Sequence, residues 1–273
     1  MKLFTTVQPD PLSLKLIPGE KIFLTGSCFA DEFAPLLRAA GFTVCSNPFG
    51  TVYNPLSIEA SISRLESGMP FTTQDCIETG SGRICSFFHH SSFARDSREE
   101  FLENANAELR SASTFWEKAD TVIVTLGTAW VWKRNGQTVS NCLKRSGREF
   151  TQELMNASEV RDCILRIVDK CAGKKLIFTI SPIRHRGARD NTLGKAALHL
   201  GVYEAGVCYF PAFEILMDEL RDYRFYAKDL VHPSPTAIEI IWERFLDAVT
   251  TKQDRLTIEE NLSVARRNAH IPR

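Results

Sequence analysis

The sequence carries no excess of either charge: 33 Lys and Arg are balanced by 33 Asp and Glu. Holding nucleic acid through its phosphates takes a basic surplus or a sharply basic stripe, and neither is present, so nucleic acid is not an expected partner. No run approaches the ~18 apolar residues of a membrane span, and the first residues lack the apolar core of a signal peptide. No membrane association is expected, and the cytoplasm is the expected compartment. The eight cysteines (Cys28, Cys45, Cys76, Cys85, Cys142, Cys163, Cys171 and Cys208) lie singly, without the close pairs that frame a zinc or redox site. No metal and no cofactor are therefore expected, and the thiols read as small buried hydrophobes. Internal repeats and low-complexity stretches are also lacking.

What is present is the balance of an ordinary globular protein, 44% apolar and 24% charged over 273 residues. A chain of this size buries roughly three-quarters of its unfolded surface. One domain over residues 1–273 is expected, with residues 251–273 a polar extension read as a solvated terminal helix.

Short runs rich in β-branched and aromatic residues that end at Gly, Ser or Pro predict buried strands at 21–26 (KIFLTG), 121–127 (TVIVTLG), 174–182 (KKLIFTISP) and 207–211 (VCYFP), with a weaker one at 42–46. Helical spacing predicts helices between them, clearest where Phe29, Phe33, Leu36 or Leu37 and Ala40 share a face that Gly41 ends. The others fall at 56–65, 97–109, 158–171, 195–205 and 236–249. This alternation predicts an α/β fold, a flavodoxin-like parallel sheet of about five strands with helices on both faces. Two stretches break the rhythm and predict inserted β-hairpins: 71–92, around Gly80-Ser81-Gly82, and 130–141, around Asn135-Gly136.

In such a sheet the ligand crevice lies at the carboxyl ends of the strands. Ser27 follows the first strand and opens a helix whose amide hydrogens would face the reacting group; it is either a nucleophile there or merely the helix cap. Asp229 and His232, three apart in a Pro-rich loop, could pair so that the carboxylate fixes the imidazole and the other ring nitrogen serves the hydroxyl. Cys28 could gain thiolate character at the same helix end, but only one of two adjacent side chains can face the cleft. The reading takes Ser27 and packs Cys28 as a hydrophobe. His89 and His90, if extended, point to opposite sides and cannot share a metal; His90 is expected to line the cleft. His185, beside Arg184 past the third strand, is either a substrate contact or a loop residue. Phe49, Tyr53, Phe88 and Trp130 could line a pocket for acylated sugars, though aromatics also fill cores.

The segment Gly26-Ser27-Cys28-Phe29-Ala30 spells GSCFA and, with Asn47-Pro48-Phe49-Gly50, Tyr53-Asn54-Pro55, Thr125 through Trp130, Ser181-Pro182 and the DLVHPS stretch, resembles the GSCFA domain family. That family is similar to the SGNH/GDSL hydrolases. The resemblance implies a serine-dependent acyl esterase or acyltransferase acting through an acyl-enzyme, with an ester, possibly an O-acylated carbohydrate, as substrate. It implies Ser27 as nucleophile, His232 as general base and then acid, and Asp229 as orienting carboxylate. The oxyanion hole would combine the Ser27 amide with Gly50. Its third donor is undecided between Thr128, Asn54 and Asn141, because Gly127-Thr128-Ala129 lacks the Asn of the SGNH pattern. Gly127, Asn141, His90 and His185 are the expected substrate contacts. Family members commonly carry His where this chain has Leu143. The rival reading is a non-catalytic carbohydrate- or ligand-binding module on the same scaffold. The oligomeric state is not readable.

Overall fold

Five segments pair into one parallel sheet in the computed structural model, which describes residues 5–9, 12–184 and 187–269. In chain order the strands are β1 (Lys21–Gly26), β2 (Thr43–Ser46), β3 (Ile77–Glu78), β4 (Ile84–Cys85), β5 (Thr121–Leu126), β6 (Trp130–Arg134), β7 (Gln137–Val139), β8 (Thr151–Leu154), β9 (Lys175–Ile180) and β10 (Tyr209–Phe210). The helices are α1 (Cys28–Ala39), α2 (Pro55–Ser67), α3 (Arg98–Glu117), α4 (Ala157–Lys170), α5 (Ala188–Ala205), α6 (Ala212–Glu214), α7 (Pro235–Val249) and α8 (Lys252–Ala269), with a wide π turn at Ile215–Leu220 after α6. The sheet order is β10-β9-β5-β1-β2, every pair parallel, which is the flavodoxin-like order with the direction of winding reversing between β1 and β5.

Period-two alternation along the strands feeds two cores. Phe23, Val122, Val124, Leu126, Phe178 and Ile180 face one side, against residues of α2 to α5. Ile22, Leu24, Ile123 and Ile177 face the other, against α1, α6, the π turn and α7. Because both faces are covered, β5 is buried at all six positions, and its sequence shows no polar alternation.

The predicted insertions take partly different shapes. Residues 130–141 do fold back at Asn135-Gly136, where both residues have positive φ (50° and 78°), the geometry of a tight two-residue hairpin. A strand not foreseen, β8, joins them in a three-stranded antiparallel sheet, β7-β6-β8. In 71–92 only β3 and β4 pair, and residues after Cys85 turn instead of continuing extended. The helix at 252–269 is not simply solvated: Ile258 is fully buried and the Asn261 amide donates to the Ala40 carbonyl at 3.0 Å. No helix among the described residues is long and apolar enough to cross a membrane.

Candidate functional site

The carboxyl edge of β1 carries a forced turn. Gly26 has φ +132°, and a Cβ there would lie 2.1 Å from the Thr125 carbonyl oxygen, so only glycine lets β1 pass β5 this closely. Asn47, itself at φ 42°, accepts the buried Gly26 amide on Oδ1 at 2.9 Å and donates through Nδ2 to Asp31 Oδ1 at 2.9 Å. Asn47 of the NPFG segment thus clamps the turn to the first turn of α1.

Ser27 is the cap of α1. It is wholly buried, its Oγ accepts the Phe29 amide at 3.3 Å and meets Thr125 Oγ1 at 3.4 Å, and its amide donates to the Thr125 carbonyl at 3.0 Å. Cys28, the first helical residue, is half-buried. Its Sγ lies 3.6 Å from His232 Nε2. On the other side of that ring, Asp229 Oδ2 meets Nδ1 at 2.6 Å. With Asp229 holding the proton on Nδ1, Nε2 is the lone-pair nitrogen and accepts from the thiol. The general base expected to serve Ser27 is therefore placed on its neighbour. The physical reason is the helix start: a cap side chain turns back to the first amides, whereas the next one projects into the cleft.

The DLVH loop is built for this placement. Asp229 Oδ1 accepts the amides of Val231 and His232 at 2.9 and 3.0 Å, and Leu230 between them is left-handed at φ 59°. These bonds, with the His232 contact, hold the Asp229 carboxyl well below the usual carboxylate range. The loop is tied back by Ala227 donating to the His232 carbonyl at 2.8 Å and Arg184 donating to the Val231 carbonyl at 3.2 Å. The Cys28 thiol is pushed up to about 11, chiefly by burial, with Asp31 and Glu32 adding to the rise and its own backbone hydrogen bond and Lys195 opposing it. At rest it is a neutral thiol.

The backbone amides expected near an oxyanion are engaged elsewhere, whereas the side chains of Thr128, Asn54 and Asn141 act as acceptors through their oxygens. The Gly50 amide donates to the Asn47 carbonyl at 2.8 Å; the Gly127 and Thr128 amides both donate to the Tyr53 carbonyl at 2.8 and 2.9 Å. Thr128 Oγ1 accepts the Trp130 amide, and Asn54 Oδ1 caps α2 through the Ser57 amide. Asn141 Oδ1 closes a turn onto the Leu143 amide at 2.8 Å, and Leu143 is buried in the core. Gly50 has a different use: at φ 78° a Cβ would lie 2.3 Å from that of His90, so its bareness admits the histidine, not a substrate oxygen.

His90 is half-buried and caps a short turn through the Ser92 amide; burial lowers its pKa while Asp31 raises it. His89 is fully buried, its Nδ1 on Ser86 Oγ at 2.7 Å, among the rings of Phe49, Phe71, Phe88, Phe93 and Phe101. Phe49 is thus core, not pocket lining. His185 lies outside the described residues. One residue that sequence reasoning missed is Lys195, buried under the crevice with Nζ on the carbonyls of Gly127 and Ser181 at 2.7 and 2.6 Å. Its helical run is weakly amphipathic, and nothing in the pattern singles that lysine out.

The GSCFA family model matches residues 21–245, spanning every one of these features. The chain belongs to the GSCFA family. No curated protein sequence matches it. Solved structures similar to this GSCFA protein include an alpha/beta hydrolase enzyme from the metagenome of Lake Arreo, Spain (13% identity, TM-score 0.45, covering 85% of this chain and 96% of that one). Others are the lipase/acylhydrolase from Enterococcus faecalis (12%, 0.41, 84% and 94%) and an acetyl xylan esterase from the rumen bacterium Butyrivibrio proteoclasticus (11%, 0.39, 85% and 64%).

Proposed function

We propose that this GSCFA protein is an acyl-transfer enzyme, an ester hydrolase or acyltransferase, whose nucleophile is Cys28. The observation that carries the reading is the 3.6 Å approach of His232 Nε2 to Cys28 Sγ, with Asp229 2.6 Å from the opposite ring nitrogen. His232 takes the thiol proton as sulfur attacks an ester carbonyl, and a thioester forms as the protonated imidazole returns that proton to the departing alkoxide. Water or an acceptor hydroxyl, deprotonated by the same nitrogen, then releases the acyl group. The amino end of α1 lies at the sulfur and supplies a partial positive charge for the oxyanion. A neutral resting thiol fits this order of events, since base and nucleophile act together instead of as a preformed ion pair. The substrate class is an ester, with O-acylated carbohydrate the first to try.

The test is turnover of a panel of p-nitrophenyl esters and acetylated sugars by wild type, Cys28→Ala, His232→Ala and Ser27→Ala. Cleavage or transfer that disappears in the first two variants and persists in the third is expected; activity that needs Ser27 and survives without Cys28 overturns the assignment. The engagement of the Gly50, Gly127 and Thr128 amides within the protein favours a second reading, a binding module on the same scaffold. That reading predicts ligand binding without turnover, indifferent to Cys28.

A further inference from the structure

Lys195 is the sole Asp, Glu, Lys or Arg among the described residues that is fully buried, at 3% exposure. Lysine is almost never buried this deeply without a partner of opposite charge. Here the two partners are backbone carbonyls, Gly127 O just past β5 and Ser181 O just past β9, and no carboxylate among the described residues pairs with it. Carbonyl dipoles solvate an ammonium in part and leave its charge uncancelled. The position is telling because these carbonyls stand at the carboxyl edge of the sheet, and β5 is the immediate neighbour of β1, where Gly26 is in register with Thr125 two residues before Cys28.

The other groups around it do not supply the missing anion. His199, one turn along α5, is half-buried and holds its Nδ1 3.5 Å from Glu214, whose carboxylate also accepts the Tyr209 hydroxyl at 2.8 Å. The Phe213 ring lies 5.6 Å from Nζ. Burial pushes the ammonium down to about 7, and Cys28 is the group whose charge opposes that fall.

We propose that Lys195 is the buried counter-charge of the Cys28 thiolate, a positioning residue that acts through Cys28 to favour its anionic form during acyl transfer. The inference rests on the reading of Cys28 as nucleophile. As Sγ gives its proton to His232 Nε2, a negative charge appears on sulfur and a positive one on the imidazole. Lys195 gives up nothing; its ammonium is tethered by the two carbonyls at the same sheet edge.

The experiment measures site-resolved alkylation of Cys28 by iodoacetate and by iodoacetamide in the full chain. The two reagents attack the same thiolate, so the ratio of their rates cancels the thiolate fraction and reports the local charge. Asp31 and Glu32 also act on Cys28, so the wild-type ratio is the baseline, and Lys195→Gln, which keeps amide donors for the carbonyls but no charge, is expected to lower it about tenfold. Lys195→Met should do the same and Lys195→Arg should restore it. An unchanged ratio in folded Lys195→Gln overturns the inference while leaving Cys28 as nucleophile. Absence of Cys28 alkylation by either reagent in folded wild type, with labelling after denaturation, contradicts the nucleophile reading itself and the inference with it.

Discussion

Replacing Asn47 by Ala removes three things at once, and their costs can be separated. The Gly26 amide is buried, and Asn47 Oδ1 is its acceptor at 2.9 Å. Orphaning a buried amide costs about 1–3 kcal/mol. Ala must also adopt the left-handed φ of 42° that asparagine tolerates, for about another 1 kcal/mol. The lost hydrogen bond to Asp31 is part-buried but ends on a carboxylate that water still reaches, so it adds less than the other two. Asn47→Ala should therefore lose about 2–4 kcal/mol of unfolding free energy in urea titrations, with m unchanged. Asn47→Gly relieves the left-handed strain but loses the same hydrogen bonds, so it should fall short of the Ala loss by up to about 1 kcal/mol, less glycine's extra unfolded-state entropy. Asn47→Asp retains the acceptor but sets a carboxylate against Asp31, whose own carboxyl is already pushed up by desolvation. Its deficit should shrink as pH falls and the acid pair takes up a proton. An Asn47→Ala protein within about 0.5 kcal/mol of wild type would show that the clamp does not hold the turn.

Gly26→Ala places a methyl 2.1 Å from a backbone oxygen that cannot move aside, and it should cost more than about 4 kcal/mol or prevent folding. Gly68→Ala is the matched control: its φ of 58° is also left-handed but nothing lies within 4 Å, so urea titration should show a loss of only about 1 kcal/mol. His89 is kept neutral by burial, its pKa lowered to about 3. Between its ordinary value near 6.5 and about 3 the unfolded chain binds a proton that the folded one refuses, so stability falls as pH drops through that window, by up to ~1.4 kcal/mol per pH unit. His89→Gln should flatten the pH dependence of the urea midpoint between pH 7 and 4 relative to wild type; an equally steep dependence would refute the assignment.

The parallel sheet was legible because its strands are buried on both faces and so read as continuous apolar runs, as in TVIVTL. β8 was not, since TQEL is exposed at three of four positions and owes its strand state to pairing with β6. The stretch ICSFFHH looks extended by composition, yet Phe49, Phe71 and Phe93 from outside it gather around His89, and the chain turns where the His89 amide donates to the Ser86 carbonyl at 3.1 Å. At the site, the DxxH spacing carried its own geometry, because a three-residue separation lets one carboxylate hold both the following amides and the ring. Which of two adjacent residues faces that histidine depends on where the helix begins, to a single residue, and a spacing argument does not resolve that. Lys195 was invisible for a related reason: its two acceptors are backbone carbonyls, which leave no mark in the side-chain pattern.

The most direct test of the central claim is the identity of the acylated residue. Wild type, Cys28→Ala and Ser27→Ala are mixed with p-nitrophenyl acetate, quenched in acid, and analysed by intact mass and peptide mapping before and after neutral hydroxylamine. The account predicts an acetyl group on Cys28 that hydroxylamine removes, as it does from a thioester. It predicts the same adduct in Ser27→Ala, which should lose only about 1 kcal/mol of stability with its helix cap, and no adduct in Cys28→Ala. A hydroxylamine-resistant acetyl group on Ser27, still formed when Cys28 is alanine, would contradict it.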